Sequence, residues 1–129
     1  MKIQKSSEDY LEMILMLQEK KGFARSIDIA TALCVTKPSV SYATKRLREN
    51  GYITMDSDGL IKLTGTGREI AGRMYSRHKM LTDFLISIGI GEETAREDAC
   101  RLEHDLSDES FEKLCRFSNW HQDKEKIDE

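Results

Sequence analysis

Cys100, Glu103 and His104 stand at positions i, i+3 and i+4 of a stretch, residues 92–105, whose pattern predicts a helix. At 3.6 residues per turn these three side chains share one face. A thiol, a carboxylate and an imidazole are donor types that hold a divalent transition metal. Three donors on one helix make half a coordination sphere, so the remaining ligands must come from other elements. A plainer reading is open as well: a cysteine is a good small core residue, and glutamate with histidine can form a solvated edge. The neighbouring elements decide between the two.

The chain starts with a helix that Ser6 or Ser7 can cap, with Glu8 and Asp9 favourable in its first turn. Tyr10, Leu11, Ile14 and Leu15 mark its apolar stripe, and Gly22 after Lys20 and Lys21 ends it. Asp9 and Glu12, three residues apart, read on their own as partners of the helix dipole. A second helix begins near Ser26 and breaks at Cys34-Val35-Thr36. Thr36 then caps a third helix whose first turn holds Pro38, the single proline, where the missing N–H has no intrahelical partner in any case. Asn50-Gly51 stops it. Two helices across a short turn, the second carrying bases, form a helix-turn-helix pattern. Residues 52–55 and 60–63 alternate as strands around Asp56-Ser57-Asp58-Gly59, a hairpin in the place of a wing.

A long fourth helix follows from Thr64 or Thr66 to about Ile88, with Ile70, Met74, Leu81, Phe84, Leu85 and Ile88 on one side and His78 midway. The helix holding Cys100 comes next, then one opened by Ser107-Asp108-Glu109 with Phe111, Leu114 and Cys115 apolar. The reading is a mainly α protein: a winged helix-turn-helix with a two-stranded wing (residues 1–65), a helical metal-binding and dimerisation domain (66–121) and a charged tail (122–129). Helices this short need one another and a second copy to bury their apolar faces, which predicts a homodimer.

Charge is unevenly spread. The net charge is −3, yet Lys37, Lys45, Arg46 and Arg48 form a basic stretch with no acid among them, while residues 92–129 hold thirteen acids against six bases. A mildly acidic total therefore conceals a phosphate-binding surface on the third helix. Thr36, Pro38, Ser39 and Tyr42 stand at the exposed start of that helix, within reach of base edges, although Tyr42 could equally pack on the helix. Lys37, Ser41, Lys45 and Arg46 suit phosphates, and Arg25 and Lys62 can add backbone contacts. The partner is double-stranded DNA with a two-fold, palindromic site.

Apolar runs are too short to span a bilayer, no basic-then-apolar leader is present, and three widely spaced cysteines fit a reducing cytoplasm. Neither a membrane nor an organic cofactor is expected.

Residues 97–104 together with Leu106-Ser107-Asp108-Glu109 resemble the metal-binding helix of the diphtheria toxin repressor family, which includes the manganese transport regulators. Glu8-Asp9-Tyr10-Leu11-Glu12 and Tyr75-Ser76-Arg77-His78 match it too, so the resemblance covers about residues 5–118. It implies a cytoplasmic, metal-activated repressor whose winged-helix domain binds palindromic operators and whose second domain dimerises. Carried over residue by residue, the metal ligands are Asp9, Glu12, His78, Cys100, Glu103 and His104. The expected form is the two-domain one, without the SH3-like domain of longer members.

The chain mixes two branches of that family. Cys100 matches the iron branch where the manganese branch has glutamate, and Asp9 matches the manganese branch where the iron branch has methionine. Thr82 and Arg96 replace two ligands of the iron branch's accessory site, so that site is expected to be absent or rebuilt. A thiolate is soft, which tilts the choice towards Fe(II), with Mn(II) as the alternative and Co(II), Ni(II) or Zn(II) able to bind in vitro. Two other classes compete with this one. A thiol redox-sensing winged-helix regulator would want a nearby resolving cysteine, and no CxxC is present. A metalloenzyme would want a motif such as HExxH or a Gly-rich phosphate loop, and neither occurs, so no enzyme activity is expected.

Overall fold

The computed structural model describes residues 5–127, with side chains described for residues 6–118. Helices α1 (Lys5–Lys21), α2 (Ser26–Leu33) and α3 (Lys37–Glu49) precede strands β1 (Ile53–Met55) and β2 (Ile61–Leu63). Helices α4 (Gly65–Ser87), α5 (Glu92–Asp105) and α6 (Asp108–Ile127) follow. This is the expected mainly α, winged helix-turn-helix architecture. Contacts divide it into two compact units, Met1–Tyr75 and Ser76–Glu129, with the division inside α4.

In the first unit the breaks follow from local chemistry. Gly22, at φ 85°, ends α1 in the left-handed region, its N–H donating to Gln18 O at 2.9 Å. Between α2 and α3, Cys34 adopts φ 55°, and Val35 N–H closes the helix end on Ala30 O at 3.1 Å. Thr36 then caps α3 as expected: its hydroxyl oxygen accepts from Ser39 N–H at 3.2 Å. The hairpin pairs antiparallel with Ile53 opposite Leu63, Thr54 opposite Lys62 and Met55 opposite Ile61. Its turn is set by Asp56, whose Oδ1 accepts from Asp58 N–H at 2.9 Å and Leu60 N–H at 3.0 Å.

Tyr10, Leu11, Ile14 and Leu17 of α1 close the core of this unit with Ile29, Val40, Leu47, Ile53, Ile61, Leu63 and Ala71. Burying each large aliphatic side chain is worth roughly 1.5–3 kcal/mol. The start of α4 is tied to the turn between α3 and β1 by Thr64, which donates its hydroxyl to Gly51 O at 2.7 Å and caps Gly67 N–H at 3.2 Å. Gly67 is required there, because a Cβ would lie 2.0 Å from the Tyr52 carbonyl oxygen.

In the second unit Leu81 of α4 is buried, with Ala95 and Ala99, one turn apart on α5. Of the apolar stripe predicted for α4, Met74 and Leu81 are buried and Ile70, Phe84 and Leu85 partly so. Ile88, one residue past the end of α4, is 61% exposed. Helix α6 continues to Ile127, so the backbone of the charged run is helical to that residue; the side chains of that run, and those of Trp120 and His121, lie outside the described residues. Among the described residues no helix is long and apolar enough to cross a membrane.

Candidate metal centre and nucleic-acid interface

The second unit brings three of the six expected ligands together. His78 projects from α4 and places its Nδ1 3.1 Å from Oε2 of Glu103 on α5. His104, the next residue of α5, places Nε2 3.2 Å from Glu103 Oε1. The Glu103 side chain is 0% exposed, and those of His104 and His78 are 1% and 19% exposed. A carboxylate taken wholly out of water and set between two imidazoles is costly unless a cation or protons meet its charge. Oxygen and nitrogen donors at this spacing fit a divalent first-row ion. Cys100, one turn earlier on α5, is exposed.

The first unit carries the other two expected ligands. Asp9 is partly buried and Glu12 is buried, three residues apart on α1. Of the two residues standing where the iron branch has accessory ligands, Thr82 is buried and Arg96 pairs with Glu92 at 2.5 Å on the solvent side of α5.

One contributor was not singled out from the sequence. Arg77, between Ser76 and His78, is buried in the second unit and reaches the end of α5. A signal existed: 74, 77 and 81 fall on one side of α4, so a charge sits in the apolar stripe.

All ten residues expected to face DNA are exposed: Arg25, Thr36, Lys37, Pro38, Ser39, Ser41, Tyr42, Lys45, Arg46 and Lys62. Tyr42 is 64% exposed and pairs along the helix with Arg46, whose Nη1 donates to the phenol oxygen at 3.1 Å and whose guanidinium lies 5.7 Å from the ring centroid. The tyrosine thus faces solvent while holding an arginine one turn on. The early turns of α3 offer hydroxyls and the later turns cations, an arrangement able to meet base edges and phosphates respectively.

Comparison with known proteins agrees with both halves. Residues 2–60 match the family model "Iron dependent repressor, N-terminal DNA binding domain", and residues 64–127 match "Iron dependent repressor, metal binding and dimerisation domain". The HTH-type transcriptional regulator MntR of Bacillus velezensis is 38% identical over 120 residues, covering 93% of this chain and 84% of that protein. The transcriptional regulator MntR of Salmonella typhimurium is 35% identical over 114 residues, covering 88% and 73%. Among solved structures, the manganese regulator SloR superposes with a TM-score of 0.77 at 30% identity and covers 93% of this chain. IdeR of T. acidophilum gives 0.76 at 28% identity and covers 92%. The chain spans 55% of the length of each of those two structures. With family models matched along nearly all of its length, the chain belongs to the iron-dependent repressor family, the diphtheria toxin repressor and manganese transport regulator group of metal-dependent transcriptional repressors.

Proposed function

We propose that the protein is a Mn(II)-responsive repressor that binds palindromic operators of metal-homeostasis genes as a homodimer, acting in the cytoplasm. Its metal ligands are His78, Glu103 and His104, joined by Asp9 and Glu12. The single observation that carries this reading is the fully buried Glu103 carboxylate between two imidazoles, within the segment that matches a metal-binding domain. One fact favours manganese over iron: relatives at 35–38% identity are named MntR, whereas two imidazoles and a carboxylate suit either ion. Cys100 supports a second reading, Fe(II), because a thiolate entering the sphere softens it.

A bound divalent ion would supply positive charge among carboxylates that otherwise repel one another. In a two-fold dimer the spacing of two α3 helices must match a groove repeat of about 34 Å to read both half-sites. Ile86, Ile88, Leu102 and Phe117, exposed apolar side chains of the second unit, support a dimer face there.

Anaerobic titrations with Mn(II) and with Fe(II), each read by binding to a palindromic duplex enriched from random DNA, test the proposal. Half-saturation at lower Mn(II) than Fe(II) supports it. Preference for Fe(II), lost in Cys100→Ser, transfers the reading to iron. Binding indifferent to both metals overturns it.

A further inference from the structure

Glu103 is held twice. His78 contacts its carboxylate, while the preceding residue, Arg77, holds its backbone: Arg77 Nη1 donates to Glu103 O at 3.0 Å and to Leu106 O at 2.8 Å. Arg77 Nη2 pairs with Asp108 at the start of α6, and the guanidinium lies 4.9 Å from the Phe111 ring centroid. The side chain is only 6% exposed. The two carbonyls belong to the last turn of α5 and its cap, where helix geometry leaves oxygens without an intrahelical N–H partner. A cation there also suits the negative end of the helix dipole.

Burying a guanidinium carries a desolvation cost that a methionine of similar length would avoid. What the arginine does and methionine cannot is fix two carbonyls from one guanidinium nitrogen while the other arm of the planar fork holds Asp108. We propose that Arg77 is a positioning residue for metal binding. It locks the last turn of α5 against α4, so that Glu103 and His104 meet His78 in one ligand geometry. Adjacent residues of one α4 turn thereby set both the backbone and the carboxylate of a single α5 residue. The inference rests on the metal-centre reading above.

The test uses the full chain and Co(II) as the probe, under anaerobic conditions, with affinity from competition titration and ligand geometry from the d–d absorption bands. Urea unfolding of the metal-free proteins reports the fold. Arg77→Met is expected to weaken Co(II) binding about 10–100-fold, the range seen when a residue supporting a ligand is removed, and to change the d–d spectrum. Arg77→Lys, which keeps the charge without the fork, is expected to recover part of both. Leu81→Ala destabilises the same unit from another buried position and is expected to keep the wild-type affinity and spectrum. Should Arg77→Met fail to fold, Arg77→Lys decides. Folded Arg77 variants with wild-type affinity and spectrum overturn the proposal, as does a Leu81→Ala protein that loses as much as they do. If Glu103→Gln leaves Co(II) binding of the otherwise wild-type chain intact, the metal reading itself has failed, whatever the Arg77 variants show.

Discussion

Glu103→Gln separates a metal ligand from a structural carboxylate. The change keeps the side-chain volume and removes the charge at a site 0% exposed to water, with imidazole nitrogens 3.1 and 3.2 Å from its two oxygens. A ligand that binds only the folded state at 100 times its dissociation constant stabilises by about 2.7 kcal/mol. For a chain of this size, about 4 °C per kcal/mol, that amounts to a rise of about 11 °C in Tm for the wild type with Mn(II). Losing a charged ligand should cost at least the ~100-fold upper range known for residues that merely support one. The same Mn(II) concentration then equals the new dissociation constant, and the gain falls to about 0.4 kcal/mol, under about 2 °C. Without metal the variant should melt at or above the wild type, since the amide fits the space and removes a buried charge. The assay is thermal unfolding followed by circular dichroism, with chelator and with Mn(II), alongside Arg96→Ala as an exposed control on the same helix. A Glu103→Gln protein that keeps the full Mn(II)-induced rise would refute the assignment of Glu103 as a ligand.

Other outcomes follow from the same contacts. Gly67→Ala sets a Cβ 2.0 Å from a backbone oxygen that cannot swing aside, and should cost about 1–3 kcal/mol in urea unfolding, with unchanged stability counting against the close approach of α4 to the wing. Thr36→Ala removes the oxygen that caps Ser39 N–H and should cost about 1 kcal/mol, most of it restored by Asn or Ser at that position. Burial pushes the Cys115 thiol up, with nearby Glu112 adding to the rise and Arg77 opposing it. The group therefore stays protonated to higher pH in the folded chain, and its small contribution to stability is present below the unfolded thiol pKa and lost as pH climbs through the folded one. Cys115 should accordingly alkylate more slowly near pH 8 than the exposed Cys34 and Cys100, as mass spectrometry of iodoacetamide-treated protein would show.

Local chemistry made most of the first unit legible in the sequence. Thr36, Gly22, Asn50-Gly51 and the Asp56 turn each act within a few residues of themselves, so their signals survive without knowledge of the tertiary structure. Helical spacing also placed Glu103 and His104 side by side. It could not show that His78, twenty-five residues away, meets Glu103; only the resemblance named that residue. Nor does spacing distinguish depth along a shared face: Cys100 and Glu103 are one turn apart, yet one is exposed and the other sealed. Arg77 stays hidden in the sequence because a charged residue is ordinarily solvated, whereas its partners are backbone carbonyls that carry no sequence signature. The division of contacts within α4 left no mark either, since an uninterrupted helical pattern runs across Tyr75 and Ser76.

The most direct test of the account is operator affinity with and without metal, measured anaerobically by fluorescence anisotropy on a palindromic duplex. Coupling between metal and DNA of about 1–3 kcal/mol predicts roughly 5–150-fold tighter binding when Mn(II) is present, and no such gain in Glu103→Gln. Equal affinity in chelator and in saturating metal would contradict the account at its centre.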